Sequence, residues 1–143
     1  MTSYQGRCLC GQVRFRVSGP FKQFHLCHCS RCRHATGSAH ASNLFIGNDQ
    51  IEWLAGKERI QRFDLPEAQR FARAFCRHCG TPVPHQSRDG NGFIVPAGSL
   101  DQAPDRQPDD HIHFDSRAPW YDGTLQAPRF SAAPGSPPPI DPA

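Results

Sequence analysis

The chain has 143 residues, a length that suits one domain and not two ordinary ones. Its formal charge of +3 comes from basic residues that are scattered along the chain, so we do not expect a nucleic-acid partner. No apolar stretch is long enough for a signal peptide or a membrane span, so we expect a cytoplasmic protein with no membrane contact.

The first predicted elements lie between residues 13 and 36. Val13, Phe15 and Val17 alternate with two arginines, which indicates a half-buried strand over residues 13–17. A second short strand is predicted over residues 24–27. Residues 30–36 suit a short helix that ends at Gly37.

Short strands separated by turns continue along the rest of the chain. The pattern predicts strands over residues 40–46, 51–54, 60–63, 71–75, 83–86, 93–95 and 111–115. We therefore predict an all-β fold of short antiparallel strands with zinc-clamped loops and little helix. Residues 1–130 form one predicted zinc-binding domain, and the Pro-rich residues 131–143 form a predicted disordered tail.

Seven cysteines stand out in this composition, because 37% hydrophobic residues leave a thin core that needs another source of folding energy. A disulfide framework is not expected in a reducing compartment, and the number of cysteines is odd. Metal binding is the better interpretation. The cysteines fall into three groups, which are Cys8 and Cys10, then Cys27, Cys29 and Cys32, then Cys76 and Cys79.

The simplest assignment of these cysteine groups to tetrahedral zinc ions predicts two metal sites. The C-x-C pair Cys8 and Cys10 and the C-x-x-C pair Cys76 and Cys79 complete a closed, structural four-thiolate zinc site. The other three cysteines leave one zinc position open for water or substrate, and openness is typical of a catalytic site. Cys27, Cys29 and Cys32 are thus the predicted ligands of a second, catalytic zinc.

Two alternatives remain for the three-cysteine group. A histidine could close it as a second structural site, the candidates being His25, His28, His34 and His40. The group could also be redox-active, although that chemistry needs a cysteine free of metal. Histidines beside cysteine ligands usually support the metal loop or face solvent, which is our interpretation of His28 and His78. We interpret His111 and His113 as residues on the polar face of a strand.

Three motifs together resemble the glutathione-dependent formaldehyde-activating (GFA, or CENP-V/GFA) family. They are G-x-C-x-C-G-x-V-x-F at residues 6–15, C-H-C-S-x-C-R at residues 27–33 and F-C-x-x-C-G-T-P at residues 75–82. The resemblance extends to Phe130. It implies an Mss4-like fold, two zinc ions divided as above, and a carbon-sulfur lyase that joins glutathione to formaldehyde as S-(hydroxymethyl)glutathione.

The functional hypothesis is therefore a zinc-dependent carbon-sulfur lyase that acts on a small thiol, such as glutathione, and an aldehyde, such as formaldehyde. The competing hypothesis is a noncatalytic zinc-binding module for a protein or nucleic-acid partner, with Trp53, Phe63, Trp120 and Tyr121 as candidate surface residues. A methionine-sulfoxide reductase on the same general fold would need a spare nucleophilic cysteine, and the two metal sites leave none.

Overall fold

The computed structural model describes residues 2–141, which form short strands, one α-helix and several 3-10 helices. The strands are β1 (Ser3–Arg7), β2 (Arg14–Ser18), β3 (Gln23–Cys27), β4 (Ala41–Ile46), β5 (Ile51–Ala55), β6 (Ile60–Asp64), β7 (Ala72–Cys76), β8 (Pro82–Val83), β9 (His85–Gln86), β10 (Phe93–Pro96) and β11 (Asp110–Ile112). The α-helix is α1 (Ser30–Thr36). Five 3-10 helices lie at Asn48–Gln50, Lys57–Arg59, Ala97–Ser99, Phe114–Ser116 and Pro119–Gln126.

The strands form three small sheets with the orders β1-β2-β5, β11-β3-β4-β10-β9 and β6-β7-β8. The main core lies between the first two sheets, where Phe15, Val17 and Leu44 are fully buried. A smaller core joins the third sheet to the first through Val13, Val83 and two buried cysteines. The cysteine end of the third sheet is thus joined to the first sheet.

The predicted β-rich fold with little helix is confirmed. Among the described residues the strand pairs are antiparallel except for β11 with β3, which is parallel and aligns Ile112 with Cys27. The predicted helix over residues 30–36 has the bounds observed for α1, and it ends at Gly37 with a left-handed φ of 64°. Ordinary cap chemistry explains both ends of this helix.

Two strand predictions were wrong in detail. Residues 83–86 do not form one strand, because Pro84 cannot donate to a ladder and separates β8 from β9, which belong to different sheets. The predicted strand over residues 111–115 ends at Ile112. His113 takes a left-handed φ of 53° there, and a 3-10 helix follows.

Beyond Gln126 the described residues contain no helix or strand. Turn hydrogen bonds link Ser131 N to Pro137 O at 2.8 Å and Ser136 N to Ala133 O at 3.0 Å. The disordered tail over residues 131–143 stays a prediction, and its last two residues lie outside the described range, as does Met1. Within the described residues, every helix is too short or too polar to cross a lipid bilayer.

Candidate metal centres and the adjoining cleft

The first cysteine cluster joins two turns from distant parts of the chain. Cys8 and Cys10 follow β1, Cys76 ends β7, and Cys79 lies in the turn after it. The four Sγ atoms all lie within 4.8 Å of one another, and Cys8 Sγ is 3.5 Å from Cys10 Sγ. The structure therefore brings together the four cysteines that their spacing grouped, and it couples the first sheet to the third.

Glycine closes each of these two turns. Gly11 and Gly80 have φ angles of 79° and 76°, a region that side chains with a Cβ rarely adopt. Gly11 N donates to Cys8 O at 3.1 Å, and Gly80 N donates to Cys76 O at 2.7 Å. The glycine that follows the second cysteine in each motif thus sets the tight turn that directs both thiols to one point.

Hydrogen-bond donors surround the sulfurs of this cluster. Val13 N donates to Cys8 Sγ at 3.3 Å, and Thr81 Oγ1 lies 3.2 Å from Cys79 Sγ. The hydroxyl of Thr81 lowers the pKa of Cys79 to about 5. Donors of this kind stabilise thiolates, which are the form that binds metal. Four mutually close sulfurs with such support fit a closed tetrahedral metal site.

The second cluster lies where β3 passes into α1. Cys27 is the last residue of β3, Cys29 caps the helix, and Cys32 lies in its first turn. Their three Sγ atoms also lie within 4.8 Å of one another. Cys32 N donates to Cys29 Sγ at 3.3 Å, so the helix cap itself fixes the middle thiol. The C-x-C-x-x-C spacing brings the three thiols together because the end of β3 and the first turn of α1 face the same point.

Two thiols of the second cluster, those of Cys27 and Cys32, have pKa values shifted in opposite directions. A hydrogen bond from Cys32 lowers the pKa of Cys27 to about 5, and Cys29 and the nearby His113 act in the same direction. The same hydrogen bond and burial raise the pKa of Cys32. This arrangement favours the thiolate form of Cys27, and three soft sulfur donors fit a metal such as zinc.

A fourth protein ligand is absent from this second cluster among residues 2–141. Each histidine that could have closed the site has another partner instead. His25 Nδ1 lies 2.5 Å from Asp110 Oδ1, and His34 Nδ1 lies 2.7 Å from Ser30 O. His40 Nδ1 lies 3.3 Å from Ser42 Oγ. The three thiols thus offer an incomplete donor set, with one position of a tetrahedral ion left to a non-protein ligand.

His28, the fourth of those histidines, faces away from the cluster and is fully buried. Its Nε2 lies 2.9 Å from His111 Nδ1, and its ring packs 4.8 Å from Tyr121 and 5.0 Å from Phe114. Burial lowers the pKa of His28, and His40 and His111 add to this effect. A neutral imidazole therefore anchors the loop between Cys27 and Cys29 to the C-terminal segment.

A cleft of about 520 Å³ opens beside the second cluster. All three of its cysteines line the cleft, and the apolar side chains of Phe71 and Ile94 line it as well. Arg31 and Arg70 are exposed at this cleft, and no lining residue in the described part of the chain is acidic. The remaining lining residues are Ser30, Asn43, Ala72, His85, His113 and Ser116. The cleft therefore combines thiol donors with a positive potential.

Several cleft residues were not found from the sequence. Arg70 and His85 carry no motif: Arg70 precedes β7 of the third sheet, whereas His85 lies in β9 of the second sheet, and both line the cleft in the folded chain. His113 was interpreted as part of a polar strand face, but its left-handed φ carries it to the cleft beside Cys27. A non-glycine residue in this conformation is often found at a functional site. The only sequence signal for His113 was its place within the motif-rich segment.

The four aromatic residues that the competing hypothesis places on a partner surface differ in their exposure in the structure. Trp53 packs against Phe15 at 6.0 Å between ring centroids, and Tyr121 packs on His28. Trp120 and Phe63 are instead 63% and 47% exposed. Two of the four residues therefore have a packing role.

The comparison with protein families agrees with this geometry. The model of the family described as "Glutathione-dependent formaldehyde-activating enzyme" matches residues 3–116, a span that holds all seven cysteines. The chain belongs to this GFA family. The GFA match also includes the cleft residues from Cys27 to Ser116.

A solved structure of a Rhodobacter sphaeroides protein has the same fold as this GFA chain. The two are 24% identical in sequence, with a TM-score of 0.57 over 76% of this chain and 99% of that one. At this identity the likeness concerns the fold alone. The function of the cleft in this GFA protein depends on its own residues and not on the shared fold.

Proposed function

We propose that this protein is a zinc-dependent carbon-sulfur lyase that joins a small anionic thiol, such as glutathione, to an aldehyde, such as formaldehyde. The observation that carries the proposal is the cleft in which three clustered thiols without a fourth protein ligand lie beside two exposed arginines. The family match to formaldehyde-activating enzymes supports the same reaction class.

The donor sets suit two different uses of zinc. Cys8, Cys10, Cys76 and Cys79 would hold a structural ion, whereas Cys27, Cys29 and Cys32 would hold the second ion. When bound at the second cluster, zinc supplies a Lewis acid that favours the ionised form of a nearby thiol or polarises a carbonyl. Seven free thiols and two metal sites also suit a reducing compartment, and we place the protein in the cytoplasm.

The cleft residues of the chain would bind and orient the thiol substrate. Arg31 and Arg70 have no ion-pair partner among the described residues, so both guanidinium groups are available for carboxylates. Glutathione carries two carboxylates, which match two arginines. Asn43 and Ser116 offer neutral hydrogen-bonding groups in the same cleft. Proximity of thiol and aldehyde in one cleft would reduce the entropic cost of their reaction.

The proposed reaction balances without an oxidant or reductant. The sulfur of the thiol forms a bond to the aldehyde carbon, and the carbonyl π pair moves to oxygen. The proton lost by the thiol ends on that oxygen, which gives an S-hydroxymethyl adduct. The reverse reaction breaks the carbon-sulfur bond and returns the thiol and the aldehyde.

Exchange NMR on zinc-replete protein tests this function directly, because the uncatalysed reaction is measured in the same tube without protein. We expect the protein to accelerate exchange between free glutathione and its formaldehyde adduct. A Cys29→Ser variant that keeps the four-thiol site should lose the acceleration. Equal exchange rates with and without fully metal-loaded protein, for glutathione and for other anionic thiols, would contradict the proposal.

A noncatalytic binding module is the second candidate, and the exposed apolar side chains of the C-terminal segment favour it. Trp120, Leu125 and Phe130 are 63%, 81% and 46% exposed. Contiguous exposed apolar groups often mark a partner surface. If the protein binds two zinc ions but accelerates no thiol adduct exchange, this candidate replaces the first.

A further inference from the structure

A cavity of about 130 Å³ lies beside Cys32 of the second cysteine cluster, and we call it the inner chamber. It lies beneath α1, between β4 and β10 on one side and β7 and β8 on the other. Residues that line it but not the cleft include Ala35, Ala41, Ala74, Pro82, Val83 and Pro96. The chamber is therefore mostly apolar.

The inner chamber adjoins the cleft. Six residues line both spaces, namely Cys32, Asn43, Phe71, Ala72, His85 and Ile94. One of the six is a thiol of the second cluster. A group attached to a carbon that reacts beside these thiols could therefore extend into the chamber.

Water is a poor occupant for the inner chamber, since a buried water needs two to four polar partners. Thr36 Oγ1 is committed to Cys32 O at 2.8 Å, and Ser42 Oγ lies 3.3 Å from His40 Nδ1. Arg73 Nη1 donates to Ala35 O. Arg73 Nε is buried and has no hydrogen-bond partner, and the side chains of Asn43 and His85 lie where the chamber meets the cleft. Away from the cleft, the described residues of the chamber therefore offer one unpartnered donor, which is too few for an ordered water.

The size of the inner chamber suits a small apolar group. A dry apolar cavity of roughly 150 Å³ lined by Leu, Ile and Phe binds benzene, which sets the scale. Formaldehyde has only hydrogen where a larger aldehyde has a substituent, so it would leave the chamber empty. Burial of a phenyl or branched alkyl group there would be favourable by the hydrophobic effect.

We propose that the site takes aldehydes whose substituent is apolar and contains up to about six carbons, with that substituent seated in the inner chamber. This inference rests on the proposed function and extends it from formaldehyde to a substrate class. The reaction is unchanged: the thiol sulfur bonds to the aldehyde carbon, and the thiol proton passes to the aldehyde oxygen. The substituent takes no part in the bond changes, and it contributes binding alone.

Stable thioethers test the inner chamber without any turnover. S-Benzylglutathione places a phenyl ring where the aldehyde substituent would lie, whereas S-methylglutathione does not reach so far. Calorimetry on the zinc-loaded protein should give a dissociation constant at least tenfold lower for the benzyl compound. The variant Ala35→Leu, which fills the chamber from α1 with a good helix former, should remove this preference.

Matched variants keep the thioether test decisive. Ala55→Leu adds the same side chain at an exposed position on β5 outside both spaces, and it should keep the preference. If Ala35→Leu does not fold, Ala74→Val fills the chamber from β7 with a smaller side chain. Equal affinities of the wild type for both thioethers, or a preference that survives a folded filling variant, would overturn the inference.

Formaldehyde exchange, measured alongside, separates the two proposals. Accelerated exchange with no benzyl preference would refute the chamber inference alone. A benzyl preference without accelerated exchange would keep the chamber as a binding site and refute catalysis. Failure of both measurements would refute both proposals.

Discussion

His28 Nε2 lies 2.9 Å from His111 Nδ1, and this contact connects the loop of the second cysteine cluster to β11. The parallel pairing of β3 with β11 creates it, because His28 N also donates to Ile112 O at 3.0 Å. No other pair of strands in the described part of the chain is parallel. A chain segment more than eighty residues away thus holds the loop between Cys27 and Cys29.

Loss of the His111 imidazole should destabilise the protein. In His111→Ala the buried His28 ring would lose its one hydrogen bond within the described structure, since His28 Nδ1 has no partner. An unsatisfied buried polar group costs about 1–3 kcal/mol, which urea unfolding of the metal-loaded protein would measure. His111→Gln keeps an amide that can bond to His28 and should recover part of the loss. Equal stability of the alanine variant and the wild type would contradict this role.

His85 should make stability depend on pH in the acid range. Burial lowers the pKa of His85 to about 4, and Arg62 adds to the effect, whereas the unfolded chain has an ordinary histidine. The unfolded state therefore binds the extra proton between about pH 6.5 and 4. The contribution of His85 is fully present above pH 6.5, and about 3 kcal/mol is lost as the pH falls through this window.

A His85→Gln variant isolates that contribution, because it cannot gain a proton. Loss of metal in acid affects both proteins, so the measured quantity is the difference between their unfolding free energies at each pH. This difference should change between pH 6.5 and 4 and stay constant above it. Parallel stability curves for the two proteins would be inconsistent with a buried neutral His85.

Gly56 packs closely against the backbone at Gln12, whereas Gly90, which has a similar backbone conformation, has no such contact. Both Gly56 and Gly90 are left-handed, with φ angles of 77° and 78°. A Cβ on Gly56 would lie 2.0 Å from Gln12 O, whereas a Cβ on Gly90 would meet no atom within 4 Å. Gly90→Ala should cost about 1–2 kcal/mol from backbone strain alone. Gly56→Ala should cost at least twice as much in thermal or urea unfolding, and similar losses would argue against the close contact.

The two cleft arginines should discriminate between anionic and neutral thiols. In the double variant Arg31→Ala and Arg70→Ala, we expect KM for glutathione to rise about tenfold, which corresponds to about 1.4 kcal/mol. KM for 2-mercaptoethanol should change less than twofold, since that thiol has no carboxylate. Arg129→Ala, which removes an exposed arginine far along the chain from the cleft, is the matched control. An equal rise for both thiols would exclude charge recognition.

The local features of this fold were predictable because short-range rules determine them. Helix α1 follows from its Cys29 cap and from Gly37, and the two cysteine clusters follow from ligand spacing. Strand β1 was missed because Ser3–Arg7 is polar apart from Tyr4 and has a glycine, Gly6, under the Phe15 ring. Its strand structure comes from pairing with β2 and not from its own residues.

The cleft and the inner chamber could not be predicted from the sequence. Both depend on how the third sheet, with Ala72 and Ala74, packs against α1 and β10. His113 reaches the cleft through a backbone conformation that no sequence pattern indicates. Spacing identifies ligands that are near in sequence, but tertiary packing decides which distant side chains join them.

The most direct test of two metal sites with different roles is zinc stoichiometry by elemental analysis, combined with glutathione-formaldehyde exchange NMR, on wild type and two single variants. We predict two zinc ions and accelerated exchange for the wild type. Cys29→Ser should keep its fold and one zinc ion but lose the acceleration, whereas Cys76→Ser should unfold at much lower temperature, since structural zinc contributes to folding. Two zinc ions and full acceleration in a folded Cys29→Ser protein would contradict the account.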